Sequence, residues 1–333
     1  MRVDPSSPEL SLVIPLYRSS ECVSALITRL DSLTLPCTWE LILVDDGSPD
    51  DTVLRAQQCL QNSTLQGLVI RHARNYGEHA AVLTGYRHSR GRWVINLDDD
   101  LQNPPEEVIQ LWRKAMAEQL DVVYGVYLVK RHEKWRNLGS RFANRTANWL
   151  LDLPEKLYLS SFRCVAGDIA RSVANYQGPY PYIDGMLSQY TQQIGSLTVR
   201  HDSRHDGLSN YNLRRLVRLW LTIFTSFSIM PLRLASLLGL FLFLGGLTMF
   251  AIALVQVFLH GSGLPGWLSI ISTILVFGGL QSLLIGVVGE YLGRIFLTVS
   301  GKPQSHVRAV EVFAPRDSES GSITPESCSF DRP

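Results

Sequence analysis

Between residues 10 and 200, short apolar runs alternate with helically spaced ones. Leu10-Ser11-Leu12-Val13-Ile14-Pro15 reads as a strand that ends at a proline, and Cys22–Leu33 follows with helical spacing. Glu40-Leu41-Ile42-Leu43-Val44-Asp45-Asp46 is a second strand signal that ends in acids. Gly47-Ser48-Pro49-Asp50-Asp51-Thr52 then offers turn and capping residues for another helix. Gly67–Arg71 predicts a third strand, Glu78–Ser89 a helix after the turn at Asn75-Tyr76-Gly77, and Arg92–Leu97 a fourth strand. This order predicts an α/β fold with a mainly parallel, doubly wound sheet covered by helices on both faces. Ligands of such sheets bind beyond the carboxyl ends of strands, where Asp45, Asp46, Asp98, Asp99 and Asp100 all fall.

The pattern changes in the last third. From Leu234 to Gly289 there is no Asp, Glu, Lys or Arg, a stretch far beyond the roughly 20 apolar residues needed to cross a bilayer. Turn chemistry at His260–Gly266 divides it into two expected spans, Leu234–Leu259 and Trp267–Gly289. Arg214, Arg215, Arg218 and Arg233 precede the first span, Arg294 and Lys302 follow the second, and the connecting loop has neither Lys nor Arg. By the positive-inside rule both flanks are expected in the cytoplasm. Tyr211–Met230 mixes arginines with Trp220, Phe224 and Phe227, which suits a helix lying in the headgroup region. The expected organisation is a catalytic domain over 1–210, an interfacial amphipathic helix over 211–233, a transmembrane hairpin over 234–289 and a C-terminal segment with a disordered tail over 290–333. Met1–Pro8 is short and polar, so no cleavable signal is expected.

Composition narrows the picture further. Net charge is +1, which gives no electrostatic case for nucleic acid. Cys22, Cys37, Cys59, Cys164 and Cys328 show no CxxC spacing and read as free cytosolic thiols. The densest chemistry is Asp98-Asp99-Asp100-Leu101-Gln102-Asn103-Pro104-Pro105-Glu106. Packed carboxylates repel one another unless a cation holds them, and a hard divalent ion takes carboxylate oxygens together with a diphosphate. On an extended segment Asp98, Asp100 and Gln102 would present three oxygens to one side.

Ser11–Tyr17, Leu43–Ser48, Arg74–Gly77 and Asp98–Glu106, in that order, resemble the motifs of the family 2 glycosyltransferases with the GT-A fold. The resemblance is to the polyprenyl-phosphate branch and runs from about residue 10 to 303, including the apolar hairpin and Gly289–Arg294. It implies a membrane-bound inverting transferase that moves a sugar from a nucleotide-diphosphate donor to polyprenyl (undecaprenyl) phosphate at the cytoplasmic face of the cell membrane. It further implies Mg2+ or Mn2+ held by Asp98, Asp100 and Gln102. Donor contacts would come from Pro15, Tyr17, Asp45 or Asp46, Arg74 and Gly77, with Asp98 shared between ribose and metal. Arg136 and Ser140 match a phosphate-binding basic helix, and Arg204 with Ser209 matches a segment that closes over the donor, with Asn210 in place of a lysine. Ser161 stands where relatives carry an acid before Phe162-Arg163, so Asp184 is the candidate base and Arg163 a candidate to steer a phosphate. Two thin helices per chain also invite association of copies. A processive polysaccharide synthase and a non-catalytic sugar-nucleotide-binding membrane scaffold are the competing readings; no Gln-x-x-Arg-Trp motif supports the first, and the intact Asp98/Asp100 pair opposes the second.

Overall fold

The computed structural model describes residues 7–127, 159–178, 181–200, parts of 236–259, 267–300 and 303–314. The chain runs β1 (Leu10–Leu16), α1 (Val23–Asp31), β2 (Trp39–Asp45), α2 (Thr52–Gln61), β3 (Gly67–His72), α3 (Glu78–His88), β4 (Trp93–Asn96), a 3-10 turn (Pro105–Glu107), α4 (Val108–Ala117) and β5 (Val122–Tyr127). It continues through β6 (Arg163–Ala166), α5 (Gly167–Ala174), α6 (Ile183–Tyr190), β7 (Ile194–Val199), the long apolar helix α7 (Trp267–Val299) and β8 (Val307–Phe313). The four expected strands and the helices between them lie where the apolar periodicity puts them. In α1, for example, Val23, Leu26, Ile27 and Leu30 form the buried stripe, the spacing of one helical face.

The sheet is mixed, with strand order β7-β5-β6-β4-β1-β2-β3-β8. Four of its seven pairings are parallel and three antiparallel, so "mainly parallel" holds for the centre and fails at the flanks. Strand β6 runs against β4, and β8 runs against β3 at the far edge. Successive strand residues point to opposite faces. Leu12 and Ile14 accordingly join one core with α1, α2 and α4, while Val13 and Val94 join a second with α3, α5 and α6. Each fully buried Leu, Ile or Val of these layers stabilises the fold by about 2 kcal/mol. At the amino end of the sheet, buried Glu40 accepts from the Ser11 hydroxyl at 2.7 Å and from Arg90 Nε at 3.0 Å and Nη2 at 2.8 Å. That end is closed by protein, and the carboxyl end is left for chemistry.

Among the described residues one helix, Phe277–Val299, is long and apolar enough to cross a membrane, and Ser236–Gly246 is a shorter apolar helical stretch. Helix α7 does not stop at Gly289 but continues through Glu290 to Val299. The chain then returns to the sheet as β8, a strand the periodicity reading does not anticipate. The proposed interfacial helix and the loop at 260–266 lie outside the described residues.

Candidate functional site

The carboxyl ends of β1, β2 and β4 open on a common crevice, and the start of antiparallel β6 meets them there, with Arg163 opposite Asn96. Two acid clusters arrive at this edge and are treated differently. In the first, Asp45 is fully buried and its carboxylate accepts the Ser48 N–H at 3.2 Å from either oxygen. Burial pushes its carboxyl up, and the Ser48 hydrogen bonds pull it back. Asp46, also buried, accepts the N–H groups of Tyr76 at 2.9 Å and Gly77 at 2.7 Å and meets His72 Nδ1 at 2.8 Å. Between them Gly47 has φ +69°, and a Cβ there would sit 2.5 Å from the Arg74 carbonyl carbon. Only glycine allows that backbone crossing. Asp46 and Gly47 thus moor the Arg74–Gly77 loop, whose exposed Arg74 guanidinium lies 4.8 Å from the Tyr76 ring centroid. Gly77 itself has φ +98°.

On β1, Pro15 is half-buried and Tyr17 is exposed. Arg18 follows at φ +57° and donates its N–H to Ser48 Oγ at 3.1 Å, which joins the β1 and β2 exits.

The second cluster draws on side-chain hydroxyl and amide donors. Asp98 accepts Ser161 Oγ–H at 2.7 Å and Asn103 Nδ2–H at 2.9 Å through one oxygen. Asp99 accepts the Ser19 hydroxyl, and Asp100 accepts the Gln102 N–H at 3.1 Å. Burial first, opposed by the Ser161 and Asn103 hydrogen bonds and reinforced by the Asp100 charge, pushes Asp98 up. Burial and its two acid neighbours push Asp99 up to about 6. The segment is not extended as the alternation argument requires. Leu101 takes φ +58° and turns the chain, a conformation costing a non-glycine residue on the order of 1 kcal/mol. Asp98, Asp100 and Gln102 therefore share a turn rather than one side of a strand. Asp99 ties the acid turn to the β1 exit through Ser19.

Two expectations change. Arg163, 1% exposed, is ion-paired with Asp184, which also accepts the Tyr124 hydroxyl at 3.0 Å. The buried guanidinium and the Asp184 carboxylate are thus committed to one another, where the sequence reading expected Arg163 to steer a phosphate and Asp184 to act as a base. The β4–β6–β5 register explains the burial, since Arg163 lies between Asn96 and Tyr124. Asp184 sits in the first turn of α6.

Sequence reasoning missed Glu78 and His79, read there only as the start of a helix. Glu78 opens α3 directly after the moored loop. The crevice walls first and then the Asp98 charge push its carboxyl up to about 7. Its side chain is exposed, so water screens part of both effects. Beside it, burial lowers His79 to about 4, and its Nδ1 has no hydrogen-bond partner among the described residues. The signal available was a Gly-Glu-His start to a helix at a strand end. Arg136, Ser140, Arg204 and Ser209 lie outside the described residues.

Among the described residues, no three His, Cys, Asp or Glu side chains form a ready metal cage. The donor set of the acid turn still fits a divalent ion. Mg2+ commonly takes one or two carboxylates and completes its shell with water and phosphate oxygens. The mutual repulsion at Asp98–Asp100 is what a cation relieves.

A family model described as glycosyl transferase family 2 matches residues 11–172. The undecaprenyl-phosphate 4-deoxy-4-formamido-L-arabinose transferase of Pseudomonas paraeruginosa (strain DSM 24068 / PA7) is 31% identical over 310 residues, spanning 92% of this chain and 91% of that protein. Among solved structures, glucosyl-3-phosphoglycerate synthase from Mycobacterium tuberculosis, in complex with Mn2+, uridine diphosphate and phosphoglyceric acid, matches with a TM-score of 0.50 at 17% identity. That match covers 66% of this chain and 76% of the other and establishes a GT-A-like mixed-sheet fold. With the sequence match, the fold and the acid-lined crevice in agreement, the chain is a glycosyltransferase and belongs to glycosyl transferase family 2.

Proposed function

We propose that this enzyme transfers a sugar, with inversion, from a nucleotide-diphosphate donor to polyprenyl phosphate. The observation that carries this reading is the Asp98–Asp100 turn at the end of β4, where burial and the neighbouring acids push Asp98 and Asp99 up. Three carboxylates crowded at one strand end suit a bound cation. The 31% identical relative is named as an undecaprenyl-phosphate transferase, which supports the lipid acceptor. The structural neighbour was solved with Mn2+ and uridine diphosphate, which supports a nucleotide donor with a divalent ion.

In this reading Asp98, Asp100 and Gln102 hold the ion, which when bound supplies positive charge to the departing diphosphate. Asp45, Pro15 and Tyr17 border the pocket for base and ribose. Asp46 holds the Arg74–Gly77 loop in place for the donor rather than binding it directly. Arg163 and Asp184 support the floor. A lipid phosphate is already anionic near neutral pH, so its oxygen attacks the anomeric carbon without a strong base. Arg136, Ser140, Arg204 and Ser209 are assigned to phosphate binding by resemblance.

The apolar helix Phe277–Val299 supports membrane residence. A hairpin over 234–289, with an interfacial helix at 211–233 and cytoplasmic flanks, completes the proposed organisation, in which the long-chain acceptor reaches the crevice from the bilayer surface.

The test incubates membranes containing the full chain with a panel of labelled sugar nucleotides and polyprenyl phosphate, then extracts the lipid. Label enters the lipid with wild type and not with Asp100→Asn, whose thermal midpoint stays near wild type. Metal-supplemented Asp100→Asn turning over at the wild-type rate overturns the site. Label released only as free sugar overturns the acceptor.

A further inference from the structure

The segment that follows the apolar helix is joined to the nucleotide crevice by a continuous line of side chains. Helix α7 ends at Val299, and Ser305 lies a few residues beyond it, half-buried. The Ser305 and Thr84 hydroxyls are 3.1 Å apart. Thr84 Oγ1 lies 2.9 Å from His72 Nε2, and His72 Nδ1 lies 2.8 Å from Asp46 Oδ1. Asp46 in turn receives the N–H groups of Tyr76 and Gly77. Thr84, His72 and Asp46 are all buried. The backbone runs alongside, with Ala73 N–H donating to the His306 carbonyl at 2.9 Å and His72 in register with Val307 of β8.

Donor and acceptor chemistry gives this line a direction. An ionised carboxylate only accepts, so His72 Nδ1 carries the proton shared with Asp46. His72 Nε2, the Ala80 carbonyl and the Ser305 hydroxyl lie 2.9, 3.0 and 3.1 Å from Thr84 Oγ1. Thr84 has one proton to give, so these partners share one hydroxyl and together fix its orientation. Without the Ser305 hydroxyl, one of the contacts that hold Thr84 against His72 is gone.

We propose that Ser305 is a positioning residue for the donor, acting through Thr84, His72 and Asp46 on the Tyr76–Gly77 backbone. The consequence is that the donor loop is fully formed only when the chain returning from the apolar helix is docked on β3. The proposal rests on the reading that the Arg74–Gly77 loop serves the nucleotide donor.

The experiment compares Ser305→Ala, Ser305→Thr, Thr84→Val, the Ser305→Ala/Thr84→Val double variant and Asp100→Asn, all in the full chain in membranes. Binding of a panel of nucleoside diphosphates with Mn2+ is measured, together with transfer kinetics. Loss of one hydrogen bond in the line predicts about a fivefold rise in donor KM and in nucleotide Kd for Ser305→Ala. The acceptor KM and kcat stay within about twofold, because their groups are not in the line. Ser305→Thr restores wild-type values, and the double variant is no worse than Thr84→Val alone. A merely structural serine would instead lower the thermal midpoint, leave the KM ratio unchanged and add to Thr84→Val. If Asp100→Asn abolishes nucleotide binding while Ser305→Ala leaves it unchanged, the coupling is wrong and the donor site stands. If neither variant affects nucleotide binding, the donor reading falls and the coupling with it.

Discussion

The two acid clusters at the carboxyl edge of the sheet look alike as sequence and differ as chemistry. At the end of β2, Asp45 and Asp46 are buried and their oxygens are engaged by Ser48, Tyr76, Gly77 and His72. At the end of β4, Asp98, Asp99 and Asp100 are half-buried, and the hydrogen bonds they receive leave burial and mutual repulsion dominant at Asp98 and Asp99. A carboxylate that receives several N–H donors acts as a structural tie, whereas carboxylates crowded against one another favour a nearby cation. Under the proposed function, the first cluster builds the pocket and the second holds the ligand's cation.

Exchanging the perturbation between the clusters tests this division most strongly. Asp98→Asn is expected to lower transfer by about 100-fold or more, the scale seen when one transition-state charge partner is removed. Its stability should hold or rise, because a repulsive charge is lost. Asp46→Ala is expected to cost about 3 kcal/mol of stability, since it strands two buried N–H groups and the His72 ring. Urea denaturation and lipid extraction on both variants give the answer. A stable Asp46→Ala protein, or an unfolded Asp98→Asn one, would merge the two clusters into one class.

The difference between the clusters was not legible in the sequence, for a physical reason. Both read as acids after an apolar run, and that much placed β1 to β4 correctly, because buried strands announce themselves by continuous hydrophobicity. The partners of Asp46, however, are His72 and the Tyr76–Gly77 backbone, whose approach depends on how β3 exits beside β2. Leu101 at φ +58° was equally hidden, since leucine gives no local sign of a left-handed turn. Arg163 looked like a free cation because its burial is set by the antiparallel register of β6 against β4 and β5. Strand β8 was missed because it is an exposed edge strand whose partner, β3, lies far upstream across the apolar segment. Local periodicity reports buried elements well, and it reports long-range pairings poorly.

Ser161 sharpens the comparison from the side of the second cluster. Its hydroxyl and the Asn103 amide both donate to the same Asp98 oxygen. Removing it in Ser161→Ala is expected to lower transfer roughly tenfold, the effect of losing one hydrogen bond to a charged group. Ser161→Thr, which keeps the hydroxyl, should retain most activity. Equal activity in Ser161→Ala and wild type would mean that Asn103 alone fixes the Asp98 carboxylate.

Glu78 gives the smallest effect and the one most specific to unmet charge. Its carboxyl is raised from the ordinary 4.5 to about 7 by the crevice walls and by Asp98, with Asp184 and Asp99 adding to the push and Arg163 opposing it. A raised carboxyl means that the folded protein holds the proton more tightly than the unfolded chain does. Stability from this group is therefore full below about 4.5 and is lost as pH rises toward about 7. Because the side chain is exposed, the slope should be shallow. Glu78→Gln should remove it, so the variant gains on wild type as pH rises through that window when no metal or nucleotide is present. Added Mn2+ should shrink the gap, because a cation at Asp98 and Asp100 cancels part of the field that raises Glu78. Thermal midpoints across the window, with and without Mn2+, measure both effects. A gap that is the same at every pH would place Glu78 outside the field of the acid turn and leave the charge demand of that turn without its nearest reporter.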